Sequence, residues 1–173
     1  MTIEELKALV RDVPDFPTEG IVFKDLMPLI GNGEAFHATI EQLAEWAGPR
    51  SPDIILGAEA RGFIFGGALA YELGCGFVPA RKPGKLPWEK VRATYDLEYG
   101  SDSLEIHADA LAAGSRVIVL DDVLATGGTA HAKVELVERL GGEVVGALFV
   151  IELTFLDGRA KLDGTDVHAL IAY

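Results

Sequence analysis

Apolar positions along the chain alternate between two periods, and the alternation predicts the architecture. From Glu34 to Ala47, residues Phe36, Ile40, Leu43 and Ala47 fall at helical spacing, after a turn signal at Gly31-Asn32-Gly33. The next apolar run, Asp53-Ile54-Ile55-Leu56-Gly57, is short and continuous, the pattern of a strand buried on both faces. Phe63 to Leu73 reads as helix again and Phe77 to Ala80 as strand. Thr94 to Ile106 alternates around Gly100, with Tyr95, Leu97 and Tyr99 on one face, as a hairpin should. The clearest strand is Arg116 to Leu120, with its β-branched centre Val117, Ile118 and Val119. A loop and a helix from about Thr129 to Leu140 follow, ended by Gly141-Gly142, and Val144 to Ile151 and Val167 to Ala172 supply two further strands. This order predicts an α/β fold: a mostly parallel sheet flanked by helices on both faces, with the hairpin as an antiparallel excursion. In such sheets ligands sit beyond the carboxyl ends of the strands.

Composition narrows the ligand. The 173 residues suit one domain, and 27 acidic against 15 basic side chains leave a net charge of −12. That field repels nucleic acid and anionic membrane surfaces, so an anionic ligand must meet a local cluster of basic groups or backbone N–H donors. The run RKPGKLPWEK, residues 81 to 90, is such a cluster, and PDFPTEG, residues 14 to 20, is a second loop. Cys75 is the one cysteine, which excludes an intrachain disulfide, and its neighbours predict a small buried hydrophobe. His37, His107, His131 and His168 have no metal-ligand spacing, and His131 is expected at the surface. The acidic first residues are unlike a signal peptide, and no apolar stretch approaches the roughly 20 residues that span a bilayer, so a cytoplasmic location is expected.

The chemistry concentrates in VIVLDDVLATGGT, residues 117 to 129. A buried strand delivers two carboxylates, Asp121 and Asp122, acceptor-only groups suited to vicinal hydroxyls or to a hydrated divalent cation. Ala125, Gly127 and Gly128 let a phosphate approach the backbone N–H groups, Thr126 and Thr129 add hydroxyl donors, and the helix that opens here favours an anion. Taken singly, the acids only favour a turn and the glycines only permit one. The ordered set describes a ribose 5′-phosphate held at both ends. It is not a Walker A loop, since no lysine follows the glycines, and it is not a dinucleotide fingerprint.

This segment resembles the signature of the type I phosphoribosyltransferases, which bind 5-phosphoribosyl 1-diphosphate (PRPP). FPTEGIVFKDLMPLI (16 to 30), GAEARGFIFG (57 to 66), RKPGKLP (81 to 87), YDLEYG (95 to 100) and IELTFLDGRAKL (151 to 162) resemble, in the same order, segments of the adenine phosphoribosyltransferase branch. The resemblance implies Mg²⁺-dependent transfer of the phosphoribosyl group from PRPP to adenine, giving AMP and diphosphate. It implies a single domain over residues 1 to 173, with an N-terminal hood over about 1 to 33 and a flexible loop over about 82 to 106. It assigns Ala125, Thr126, Gly127, Gly128 and Thr129 to the 5′-phosphate and Asp121 and Asp122 to the ribose. Glu59, Ala60, Arg61, Arg81, Lys82 and Lys85 go to the diphosphate, which would carry the metal with water and no direct protein ligand. Val22, Phe23, Lys24 and Leu153, with Glu152 beside it, go to adenine. Lys24 stands where many relatives have arginine, which weakens a planar bidentate contact. Glu98 is the implied catalytic acid, relaying a proton from the attacking base. A homodimer is implied, with Arg81 reaching the neighbouring subunit. The alternatives are transfer to another base, such as hypoxanthine, guanine, xanthine or orotate, and a PRPP sensor without turnover.

Overall fold

The computed structural model describes residues 1–96 and 101–173. The chain forms two compact units, residues 1–42 and 43–173. The first unit opens with α1 (Ile3–Ala8), whose capping box is complete: Glu5 N donates to Thr2 Oγ1 at 3.3 Å and Thr2 N donates to the Glu5 carboxylate at 2.8 Å. An antiparallel hairpin follows, β1 (Arg11–Pro14) on β2 (Val22–Asp25), with Val13 opposite Phe23 and Asp12 opposite Lys24. Phe16, in the connecting loop, sets its ring edge-on to Phe23 at 5.3 Å. Next come α2 (Met27–Ile30) and α3 (Gly33–Ala47), where Asn32 Oδ1 accepts from Ala35 N at 3.1 Å at the predicted turn. Neither α1 nor the hairpin is visible in the pattern of apolar residues. Both strands are four residues long and neither has a fully buried residue, so no alternation marks them.

The second unit carries the predicted alternation: β3 (Ile54–Ala58), α4 (Arg61–Leu73), β4 (Gly76–Ala80), the hairpin β5 (Lys90–Asp96) and β6 (Ser101–His107), β7 (Arg116–Leu124), α5 (Gly128–Arg139), β8 (Glu143–Glu152) and β9 (Val167–Ala172). Five strands form one sheet in the order β4-β3-β7-β8-β9, and every neighbouring pair is parallel. Val117, Val119, Ala147 and Phe149 pack in one buried cluster with Ala130, Val134 and Val137 of α5 and with Ala93, Leu104 and Ile106 of the hairpin. The alternate residues Ile118, Leu120, Leu148 and Val150 are equally buried, and α4 packs on β3 and β7 with Phe65 and Leu69 fully enclosed. Strands this apolar on both faces are what a parallel sheet requires. Among the described residues no helix is long and apolar enough to cross a membrane.

Three expectations change. The strand expected to end at Leu120 continues to Leu124, with Asp121 opposite Phe149 and Val123 opposite Ile151, because β8 supplies the ladder past the acids. The hairpin starts at Lys90, paired with His107, four residues before Thr94. Cys75 is half-buried rather than enclosed, since it follows the helix-ending Gly74 at φ 68°, and burial still pushes its thiol above the ordinary value.

Candidate active site

The carboxyl end of β7 and the start of α5 build the centre of the site. Gly127 adopts φ 80° to turn the chain into α5, a conformation that suits glycine. It is also enclosed, since a Cβ at Gly127 would overlap the carbonyl oxygen of Gly158, and a Cβ at Gly158 would overlap that of Ala125. The loop is thus clamped backbone to backbone against the segment Gly158–Leu162. A small cleft of about 60 Å³ opens over it, lined by Asp121, residues 125–129 and Phe149. The first N–H groups of α5 have no partner inside the helix and lie at the positive end of its dipole, so the cleft suits a phosphate.

Both acids are buried, and each has a cation. Asp121 Oδ2 accepts from Lys133 Nζ at 2.8 Å, and the same Nζ donates to the Leu120 carbonyl at 2.7 Å. Burial pushes the Asp121 carboxyl up to about 6, against the pull of Lys133 and with the help of the adjoining Asp122. Asp122 pairs with the Arg61 guanidinium from the first turn of α4. The turn from β3 into α4 fits closely around these groups: a Cβ at Gly62 would lie 2.8 Å from Asp121 Oδ1, and one at Gly57 would lie 2.8 Å from the Gly62 carbonyl oxygen. The Glu59–Ala60 peptide within that turn is cis.

Glu59 organises the basic loop. Its carboxylate accepts from Arg81 Nη2 at 3.2 Å and from the Lys82 backbone N–H. Burial raises its pKa, but the Lys82 N–H and the Arg81 guanidinium outweigh that and hold the carboxyl below the usual range. The Lys82 ammonium pairs with Asp102 on β6, and Lys85 is exposed. Deeper in, the enclosed Glu105 accepts from Arg92 at 2.9 and 2.6 Å and from Gly84 N at 3.2 Å, which ties the loop to the hairpin. Burial opposes the Glu105 charge, and Arg92 with the Gly84 N–H prevails, so its carboxyl also titrates low. A folded pKa below the unfolded one stabilises the protein at pH values above the unfolded pKa, and that contribution is lost as pH falls through the folded pKa. Glu105→Gln is therefore expected to cost about 1–2 kcal/mol at neutral pH, with the gap from wild type closing as denaturant melts are repeated toward pH 3.

The remaining candidates divide by position. Leu153 follows β8 directly, half-buried, with its N–H donating to the Leu124 carbonyl at 2.9 Å. The neighbouring Glu152 carboxylate is committed to Arg159 through two bonds of 2.7 and 2.6 Å. Val22, Phe23 and Lys24 lie on β2 in the first unit, where Lys24 Nζ reaches Asp12 at 2.6 Å. Glu98 lies outside the described residues. His131 is exposed as expected, with Nδ1 3.0 Å from the Lys161 carbonyl. Lys133, Gly158, Glu105 and Arg159 were not singled out by the motifs. Only Lys133 leaves a signal in the sequence, a charge set among the apolar positions Ala130, Val134 and Val137 of a helix.

Comparison with known proteins places the chain in a family. Residues 30–168 match the family described as phosphoribosyl transferase domain. An adenine phosphoribosyltransferase of Thermoanaerobacter sp. (strain X514) is 56% identical over 173 residues, the whole of both chains. The crystal structure of adenine phosphoribosyltransferase from Thermoanaerobacter pseudethanolicus superposes with a TM-score of 0.97 at 56% identity, covering 99% of this chain and 100% of that one. The Saccharomyces cerevisiae adenine phosphoribosyltransferase, in complex with an imino-altritol bisphosphate and adenine, superposes with a TM-score of 0.92 at 48% identity over 97% of each chain.

Proposed function

This chain belongs to the adenine phosphoribosyltransferase family, and from that premise we propose that it transfers the 5-phosphoribosyl group of PRPP to adenine, forming AMP and diphosphate. The observation that carries the reading is the clamped 125–129 loop at the start of α5, with the buried pair Asp121 and Asp122 beside it. The loop N–H groups and Thr126 and Thr129 hold the 5′-phosphate. The acids accept hydrogen bonds from the ribose hydroxyls, and Arg61, with Arg81, Lys82 and Lys85, answers the diphosphate charge. Val22, Phe23, Lys24 and Leu153 select the base.

Diphosphate departure leaves positive charge on the anomeric carbon, and groups preset for the charges of that transition state lower its energy. Mg²⁺ would neutralise charge on the leaving group. The carboxylates near the site are already engaged, Asp121 by Lys133, Asp122 by Arg61 and Glu59 by Arg81, which suits a metal that arrives on the diphosphate with its water. Glu98 relays the proton of the attacking purine. Glu98→Gln is expected to lower kcat by about 10²-fold with little change in the KM for PRPP, measured as AMP formed at saturating substrates. An unchanged kcat would remove Glu98 from the mechanism.

A homodimer is part of the reading, supported by an exposed apolar face on α4, where Ile64 is 39% and Tyr71 89% exposed one heptad apart. Sedimentation equilibrium measures it. We assign the enzyme to the cytoplasm because PRPP is an intracellular metabolite. The deciding experiment supplies PRPP, Mg²⁺ and a panel of free bases and follows nucleotide and diphosphate. Turnover of adenine alone is expected. Turnover of another base would keep the loop and acids but overturn the base assignment, and PRPP binding without turnover would favour a sensor.

A further inference from the structure

Lys133 is fully buried on α5, and lysine takes such a position only with partners for its charge. Its two acceptors belong to β7, where the Leu120 carbonyl and Asp121 Oδ2 lie 2.7 and 2.8 Å away. The other carboxylate oxygen of Asp121, Oδ1, accepts from the Asp122 backbone N–H at 3.1 Å. Each oxygen is thereby anchored from inside the protein, while Asp121 also lines the cleft over the phosphate loop. We propose that Lys133 is a positioning residue for the ribose-binding acid, fixing the Asp121 carboxylate in one orientation and keeping it a hydrogen-bond acceptor toward the sugar hydroxyls. This inference rests on the reading of the cleft as a PRPP site.

The surroundings of Asp121 leave that task to Lys133. From α5 it meets the Lys133 ammonium. On its own strand it meets Asp122, whose charge repels it and is itself engaged by Arg61 of α4. From β8 the opposite residue is Phe149, and from α4 it is Gly62, neither of which carries charge. Glu59, just past β3, is held by Arg81 and the Lys82 N–H. Without the ammonium, burial and Asp122 would both favour the protonated acid, which presents a donor where the ribose also presents donors.

The test is Lys133→Met, Asp121→Asn and the double variant, with PRPP affinity measured by calorimetry in Mg²⁺ and kcat/KM followed against pH. Lys133→Met is expected to weaken PRPP by about tenfold at pH 7 and to leave the KM for adenine unmoved. Its acid limb for PRPP should move to higher pH, because an acid that binds only when ionised loses function as pH falls through its pKa, and removing Lys133 raises that pKa. The double variant, with no buried charge left unpaired, should bind PRPP as Asp121→Asn alone does, and it decides the matter if Lys133→Met does not fold. An acid limb like that of wild type, or a double variant in which the two losses multiply, would overturn the proposal. Wild-type protein that bound PRPP but turned over no base would refute the reading of the reaction and leave this comparison intact.

Discussion

Gly127→Ala is expected to weaken PRPP binding by about 100-fold and to lower the melting temperature by about 10 °C. Two costs act together. A methyl group at φ 80° is strained by about 1 kcal/mol, and it also meets the Gly158 carbonyl, which belongs to a backbone segment with no rotamer to yield. The loop must move off Gly158, and a displacement of about 1 Å in a group that positions substrate costs about 10²-fold. Gly114 separates the two causes, for it has the same φ of 80° with nothing within 4 Å of the position a Cβ would take. Gly114→Ala should show the backbone cost in a thermal melt and leave PRPP affinity unchanged. Equal affinities for Gly127→Ala and wild type would show that the clamp on Gly158 does not shape the phosphate site.

Arg61→Met is expected to lower kcat/KM for PRPP by about 10²- to 10³-fold. In the free protein Arg61 neutralises Asp122, a residue only 6% exposed. On the proposed reading of the site, PRPP offers each of them a new partner, diphosphate oxygens for the guanidinium and ribose hydroxyls for the carboxylate. Binding then exchanges one ion pair for two sets of charge-assisted contacts, and no charge is left buried alone. Arg61→Met removes the diphosphate contact, and in the free protein it also leaves Asp122 without its cation. Arg61→Lys keeps the charge without the planar fork, so an intermediate loss is expected. Steady-state kinetics with PRPP varied at fixed adenine give the answer, and a loss confined to the adenine KM would contradict the assignment.

The parts of this molecule that a sequence reveals are those set by periodicity and by backbone geometry. The β3, β7, β8 and β9 runs are legible because a parallel sheet buries both faces, and the 125–129 loop is legible because the phosphate contact proposed for it calls for small side chains. The course of β7 through Asp121 and Asp122 is not, since acids ordinarily break strands and the cations that neutralise them, Lys133 and Arg61, stand on other elements of the chain. Gly158 is hidden for a similar reason. Its importance comes from a contact with Ala125 and Gly127, 31 or more residues earlier in the chain, and a single glycine carries no sign of what it touches. Glu59 reads in the sequence as part of a diphosphate segment, while its carboxylate serves to fasten Arg81 and Lys82.

The two tryptophans stand in contrasting places. Trp88 is 65% exposed in the basic loop. Trp46 has its ring stacked on His168, 5.5 Å between centroids and 10° from parallel, with the Arg50 guanidinium 3.5 Å from its centre. Burial, with Arg159 and Arg50 nearby, holds the His168 imidazole below its ordinary pKa, so it stays neutral at physiological pH. The chain therefore contains two optical reporters with separate duties. Trp46 emission is expected to follow the integrity of the β8–β9 edge and to be quenched as acid charges the stacked imidazole. Trp88 lies in water, and on the proposed reading of the basic loop its emission is expected to shift toward the blue as PRPP is titrated; an unmoved spectrum would take Trp88 out of contact with the ligand.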